Sequence, residues 1–227
     1  MTIKCIAFDL DDTLWAVMPV IEKAERGFYQ WLQSYYPKIT KKYSEGELVA
    51  HRMNYMRVRP ESQHNLTELR KNWMRHLADE IGYDDSLIEP GFEVFWLARN
   101  KVTFYDGALE MLEELSKDYT LGVISNGNAD VHHIGVGHYF DFALSSEVAG
   151  VSKPHQDIFH KALQLANSEI HQTVYVGDDP ERDILGAQQI GMHGIWYNPG
   201  LKPWPGGKNP AAVIQHHNQL KEKIDNL

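Results

Sequence analysis

The densest chemical signal in the chain is Phe8-Asp9-Leu10-Asp11-Asp12-Thr13-Leu14, in which acids crowd directly behind the apolar run Ile3 to Phe8. Carboxylates this close repel one another unless a hard divalent cation joins them, and Mg²⁺ takes one or two carboxylates together with water and a substrate phosphate oxygen. Taken alone, these acids read equally well as a turn with helix-capping Asp residues. Three further polar groups follow apolar runs in the same way. Ser125-Asn126-Gly127 comes after Thr120 to Ile124, Lys153-Pro154 after the run around Phe142 to Leu144, and Gly177-Asp178-Asp179-Pro180-Glu181-Arg182-Asp183 after Thr173 to Val176. In an open parallel sheet, groups at the carboxyl ends of strands converge on one crevice.

Such a set suits phosphoryl transfer. Asp9 and Asp178 are the side-chain candidates for a Mg²⁺ site. Asp11 can contribute its backbone carbonyl while its carboxyl stays available for proton transfer. A carboxylate nucleophile divides one displacement at phosphorus into two easier ones through an aspartyl-phosphate, and a second carboxyl protonates the leaving alcohol and then activates water. Ser125 and Asn126 offer donors to phosphoryl oxygens, and Lys153 supplies a point charge beside nucleophile and phosphate.

The elements that must position these groups are strands alternating with helices. His193 to Tyr197 is a further apolar run, and amphipathic stretches lie at Ala108 to Lys117 (Leu109, Leu112, Leu115), Gln156 to Ala166 (Ile158, Phe159, Ala162, Leu165) and Arg182 to Ile190. This alternation predicts an α/β fold: a Rossmann-like three-layer core with a parallel sheet. Residues 16–100 lack strand-like runs and place Phe28, Trp31, Leu32 and Tyr35, then Leu66, Leu69, Trp73 and Leu77, then Val94, Phe95 and Leu97, at helical spacing. Pro37, the Ser44-Glu45-Gly46 turn, Pro60 and Gly82 divide them into about four helices. The expected organisation is a core of 1–15 and 101–227 with an inserted helical domain of 16–100. Ala211 to Leu227 reads as a closing helix.

Lys and Arg number 22 against 31 Asp and Glu, a net charge of −9 over 227 residues. That field disfavours nucleic acid and anionic membrane surfaces as partners. Residues 16–100 hold equal numbers of each sign, so the α/β part carries the whole excess. The lone Cys5 excludes an internal disulfide and a thiolate zinc site, and no apolar run approaches the ~20 residues of a membrane span. The expectation is an unprocessed cytoplasmic enzyme.

The four polar groups match, in order, the motifs of the haloacid dehalogenase-like (HAD) hydrolase superfamily, which this chain resembles across its α/β part. The resemblance implies Asp9 as nucleophile and Asp11 as acid/base, with Ser125 and Lys153 holding the phosphoryl group. It implies that Asp178 completes a Mg²⁺ site shared with Asp9 and Asp11, that Asp179 and Asp183 support it from outside, and that the helical insertion is a C1 cap. The partner implied is a small phosphorylated metabolite. Ser125 to Ala129, the Gly137-His138-Tyr139-Phe140 turn and Val176 to Asp179 look most like YigB-type phosphatases, which act on flavin mononucleotide and on the ribityl-aminouracil phosphate of riboflavin synthesis. Sugar-phosphate or nucleoside-monophosphate phosphatases are the alternative. A 2-haloacid dehalogenase needs neither the metal nor an acid two residues after the nucleophile, and a phospho-receiver domain has a different motif order.

Other residues have plainer readings. The pairs His132-His133 and His216-His217 read as surface residues, Arg52, Arg57 and Arg59 as a solvated helix end with an outside role toward a second substrate anion, and Trp15, Tyr55 and Trp96 as helix-bundle core. Asp106 reads as a turn or cap, and Cys5 as an inert strand residue.

Overall fold

The structure is a computed structural model and describes residues 2–227. The chain divides into two compact units, Met1–Ala16 with Thr103–Leu227, and Val17–Val102. The first unit is built on strands β1 (Cys5–Phe8), β2 (Thr120–Ser125), β3 (Phe142–Ser145), β4 (Thr173–Gly177), β5 (His193–Tyr197) and β6 (Ala212–Ile214). All pair in parallel in the order β3-β2-β1-β4-β5-β6. β1 and β4 are buried at every position, as a sheet covered on both faces requires. The order reverses between β1 and β4, so their carboxyl ends flank the switch point where an open sheet binds its ligand. Asp9 and Asp178 leave those two ends.

The second unit comprises α1 (Val17–Tyr35), α2 (Pro37–Lys42), α3 (Glu45–Arg57), α4 (Leu66–Ile81) and α5 (Ile88–Arg99). Pro37 opens α2, and Gly82 ends α4 in the left-handed region at φ 78°. The expected Ser44-Glu45-Gly46 turn is instead the start of α3: Ser44 and Glu47 form a capping box, for which S-x-x-E is the sequence signature. Phe28, Leu32, Ile39, Trp73, Leu77 and Phe95 form the core of this unit. Tyr35, at the last turn of α1, is 68% exposed and lies outside it. Arg52 is buried rather than solvated. Its Nη2 lies 3.1 Å from Glu25 Oε1, which also pairs with Arg70 at 2.5 Å.

The first unit adds α6 (Ala108–Leu115), α7 (Val131–Ile134), α8 (Ser146–Ala149), α9 (Gln156–Ala166), α10 (Gly186–Gln189) and α11 (Leu220–Asp225). α9 buries Ile158, Phe159, Ala162 and Leu163. Leu165 stands two residues past Leu163, about 200° around the helix, and is 56% exposed, so the expected stripe holds at Ile158, Phe159 and Ala162 and closes on Leu163 instead. Leu109 is likewise off the buried face of α6. The C-terminal stretch is not one helix. Ala212–Ile214 pairs with β5 as an edge strand, and a short 3₁₀ turn precedes α11. Among the described residues no helix is long and apolar enough to cross a membrane.

Phe28 is fully buried, with Trp31 and Trp73 rings at 6.0 and 5.9 Å. We expect Phe28→Ala to lower stability by about 3–5 kcal/mol, read as a fall in the urea midpoint of the helical circular dichroism signal. An unchanged midpoint would show that this core closes over the cavity.

Candidate active site

The loop after β1 is shaped by its own backbone. Asp9 N–H donates to Val176 O at 2.9 Å, continuing the β1–β4 ladder by one residue, and Leu10 O then accepts from Thr13 and Leu14 N–H. Asp12 sits at φ 58°, a left-handed conformation that Asp tolerates, and its N–H donates to Trp15 O at 2.7 Å. The turn leaves Asp9 nearly buried at the sheet edge. Asp11 lies partly buried, with its Oδ1 accepting from Trp15 Nε1 at 2.9 Å.

Lys153 converges on the same point from the loop before α9. Its ammonium donates to Asp9 Oδ1 at 2.6 Å, Asp183 Oδ1 at 2.7 Å and the Tyr175 hydroxyl at 2.7 Å. Lys153, Asp183 and Tyr175 are 4%, 1% and 0% exposed. Asp183 Oδ2 also accepts from Asp179 N–H at 3.0 Å, so both of its oxygens are engaged. Asp178, partly buried, takes a 3.4 Å bond from the Thr13 hydroxyl, and its carbonyl accepts from Trp196 Nε1 at 2.8 Å. Carboxylate oxygens of Asp9, Asp178 and Asp183 lie within 4.8 Å of one another.

Burial dominates the electrostatics. It holds the Asp9 carboxyl well above the usual range, opposed by the Lys153 charge and reinforced by Asp183 and Asp11. Burial, with Asp183, Asp12 and Asp179 nearby, pushes Asp178 up to about 7. For Lys153, burial works toward a lower value, but the Asp183 and Asp9 carboxylates outweigh it and the ammonium is held above its ordinary range. When all three are ionised, the carboxylates carry two negative charges beyond the one ammonium, and the donors are all oxygen, a set that fits a hard divalent cation such as Mg²⁺.

The structure thus brings Asp9, Asp178, Asp183 and Lys153 together and uses the remaining expected residues differently. Ser125 is buried, its Oγ accepting from Gly127 N–H at 3.0 Å. The Asn126 side chain, read from sequence as a phosphoryl donor, is a correction: its Oδ1 accepts from Lys153 N–H at 2.8 Å and its Nδ2 donates to Lys153 O at 3.0 Å, so the amide is engaged on the main chain of Lys153. Asp179 caps the helical turn that follows it, accepting from Glu181 and Arg182 N–H at 2.9 Å. That turn, Pro180–Leu185, is a π-helical segment that delivers Asp183.

Four residues escape a reading by strand and helix pattern. Tyr175 sits in an apolar run, yet a phenol in a fully buried strand needs a partner, and that need was the available signal. Trp15 belongs to the α/β unit, not to the helix bundle, and touches Asp11. Trp196 holds the Asp178 backbone. His217 is buried, not on the surface: its Nε2 donates to Thr13 O at 2.9 Å and its ring packs on Tyr105 and Tyr197. Burial lowers its pKa.

Among the described residues a second group of possible ligands is His51, His76 and Glu80. Trp73 Nε1 donates to His51 Nδ1 at 2.9 Å, and an indole N–H only donates. The proton of the neutral His51 ring is therefore on Nε2, facing Glu80 Oε2 at 3.1 Å, where it leaves no lone pair for a metal.

A family model described as haloacid dehalogenase-like hydrolase matches residues 3–191. The 5-amino-6-(5-phospho-D-ribitylamino)uracil phosphatase YigB of Escherichia coli (strain K12) is 30% identical over 201 residues, which span 87% of this chain and 84% of that protein. Glyceraldehyde 3-phosphate phosphatase of Pyrococcus furiosus is 26% identical over 215 residues, 87% of this chain and 82% of that one. A crystal structure described as 2-haloacid dehalogenase from Pseudomonas syringae pv. Tomato DC3000 superposes with a TM-score of 0.92 at 40% identity, covering 99% of each chain.

Gly177 permits this crowding, because a Cβ there would lie 2.3 Å from Asp183 Oδ2 and 2.6 Å from its Cβ. We expect Gly177→Ala to drive Asp183 off Lys153 and to cost about 1–3 kcal/mol in denaturant unfolding. A variant as stable as the parent would mean that Asp183 retreats without loss.

Proposed function

Because the chain belongs to the haloacid dehalogenase-like hydrolases, we propose that it is a Mg²⁺-dependent phosphatase that hydrolyses a small phosphomonoester through an aspartyl-phosphate. The observation that carries this reading is the group of three carboxylates gathered at the sheet's switch point, two of them paired with the Lys153 ammonium. In this reading a carboxylate oxygen of Asp9 bonds to phosphorus as the bond to the substrate alcohol breaks. Asp11 gives its proton to that alcohol, then takes one from the water that splits the acyl phosphate and releases Asp9 and inorganic phosphate. Lys153 keeps Asp9 oriented and offsets charge on the phosphoryl oxygens, helped by the Ser125 hydroxyl. Asp9 and Asp178, with the Asp11 backbone carbonyl, would hold the Mg²⁺, which when bound neutralises the phosphoryl group. Asp183, with both oxygens engaged, acts from outside the metal shell, and Asp179 and Asn126 support Asp183 and Lys153.

For the substrate, the likeness to the Escherichia coli enzyme over most of both chains favours a ribityl-type phosphate, either flavin mononucleotide or a riboflavin-pathway phosphate. Sugar phosphates and nucleoside monophosphates are the alternatives within the same chemistry. The compartment in this reading is the cytoplasm, with which a chain whose one cysteine, Cys5, can form no internal disulfide accords. A second reading, 2-haloacid dehalogenase, draws on the description of the Pseudomonas syringae structure. The retained Asp178 and Asp11, which that chemistry does not require, weigh against it.

We expect Asp9→Asn to abolish turnover of p-nitrophenyl phosphate with Mg²⁺ while circular dichroism stays unchanged, and Asp11→Asn to remove most activity. Full activity in either would cancel that residue's role. EDTA should stop phosphate release. Chloride release from 2-chloropropionate that persists in EDTA would favour the dehalogenase reading instead. In a panel of phosphorylated metabolites, preference for a sugar phosphate over every flavin-pathway compound would discard the ribityl assignment.

A proton on Asp178 competes with the cation. Since burial and neighbouring acids push this carboxyl up to about 7, Mg²⁺ affinity should fall as the pH drops through that value, as calorimetric titrations from pH 5.5 to 8 would record. Affinity independent of pH across that range would remove Asp178 from the metal site.

A further inference from the structure

Tyr175 lies in the middle of β4, and its register partner on β1 is Ala7, which pairs in turn with Gly122 on β2. The Tyr175 ring, packed edge-on against Phe159 at 5.4 Å, places its hydroxyl on the carbonyl of Ile124, the residue before Ser125. A phenol has one proton. With that proton donated to Ile124 O at 2.9 Å, the oxygen presents only lone pairs to its other neighbours. The Lys153 ammonium lies 2.7 Å away on that side. Asp183 Oδ1, 3.3 Å from the same hydroxyl, already takes a Lys153 proton at 2.7 Å.

An ammonium has three protons in tetrahedral array, and all three here have acceptors: Asp9, Asp183 and Tyr175. Two of those acceptors are charged and can be drawn toward a cation or a substrate. The third is neutral, 0% exposed and tied to the end of β2.

We propose that Tyr175 is a positioning residue whose hydroxyl, its proton held by Ile124 O, anchors the Lys153 ammonium so that the remaining two N–H groups are aimed at Asp9 and Asp183. The inference rests on the proposed phosphatase reading for its kinetic consequence, but not for the anchor itself. The anchor ties the middle of β4 and the end of β2 to the loop that carries Lys153, so motif residues far apart in sequence keep one geometry as charge is redistributed at Asp9.

The test uses the full-length protein and Tyr175→Phe, which removes one oxygen and keeps the ring. In wild type the Lys153 NH₃⁺ group should give a slowly exchanging ¹⁵N-correlated NMR signal, assigned by its loss in Lys153→Arg. Tyr175→Phe should broaden or abolish it. Turnover of p-nitrophenyl phosphate should fall about tenfold to a hundredfold in kcat with KM within about twofold, the range expected when a hydrogen bond to a charged group is removed. A wild-type Lys153 signal that exchanges like those of surface lysines overturns the anchor whatever the variant does. A Tyr175→Phe protein with wild-type kcat, or one whose loss falls wholly in KM, overturns the positioning role. If Asp9→Asn is active, the phosphatase reading fails instead, and the NMR result still decides whether Tyr175 holds Lys153.

Discussion

A buried ammonium is the constraint around which the α/β unit is arranged. Taking Lys153 out of water is costly unless each of its protons finds an acceptor and its charge a counter-charge. Meeting that demand requires β1 to deliver Asp9, β4 to deliver Tyr175, and the turn after β4 to deliver Asp183, all to one point. Asn126 grips the main chain of Lys153 on both sides, N–H and C=O, which fixes where the lysine stem begins. Gly177 lets Asp183 fold back against the strand. Parallel strands are suited to this, since they leave the sheet on the same side and their ends supply groups from distant parts of the sequence.

The ammonium alone does not balance the site. Asp9, Asp178 and Asp183 bring one more pair of negative charges than Lys153 neutralises, and burial presses both Asp9 and Asp178 toward protonation. With all three carboxylates ionised the site is two charges short, a deficit that a divalent cation would meet, and an anionic phosphate then becomes an acceptable ligand for a protein of net charge −9. The two acids divide by their partners. Asp183 has both oxygens engaged, one by Lys153 and one by a backbone N–H, which suits a supporting role, whereas Asp178 has a single long side-chain contact, to Thr13.

Much of this was legible in the residue order because the chemistry sits at strand ends, where apolar runs stop abruptly and the stopping residues are the polar groups themselves. Asp9, Asp178 and Lys153 could be found that way. What the pattern hid was side-chain direction. Asn126 stands next to Ser125 and looked like a phosphate donor, but its amide turns onto the Lys153 backbone. Tyr175 passed as another apolar strand position, since periodicity carries no information on where a hydroxyl points. His217 and β6 were missed for a related reason. A histidine far from the motifs in sequence gives no sign of packing beneath their loop, and Ala212–Ile214 is too short, with Val213 42% exposed, to register as a strand. Arg52 was misread because the pairing of an arginine depends on a residue one helix away, here Glu25.

The fold cannot by itself separate the two chemistries suggested by the similar proteins, one described as a dehalogenase and one as a phosphatase. Both can begin with a carboxylate displacing a leaving group. The leaving groups differ in what they ask of the protein. A halide departs as a stable anion and needs no proton, so an acid two residues after the nucleophile has nothing to do. An alkoxide is a strong base and departs well only when protonated in the transition state, and the acyl phosphate left behind must then be opened by a water that gives up a proton. In the proposed phosphatase reading Asp11 serves both steps, and the indole N–H of Trp15 keeps its carboxyl oriented at the sheet edge. A phosphoryl group also brings negative charge that a haloacid's reacting carbon does not, and in the proposed reading that difference is met by the cation that Asp178 would help to hold. The side chains beyond the nucleophile, rather than the sheet that presents it, therefore weigh toward phosphate ester hydrolysis.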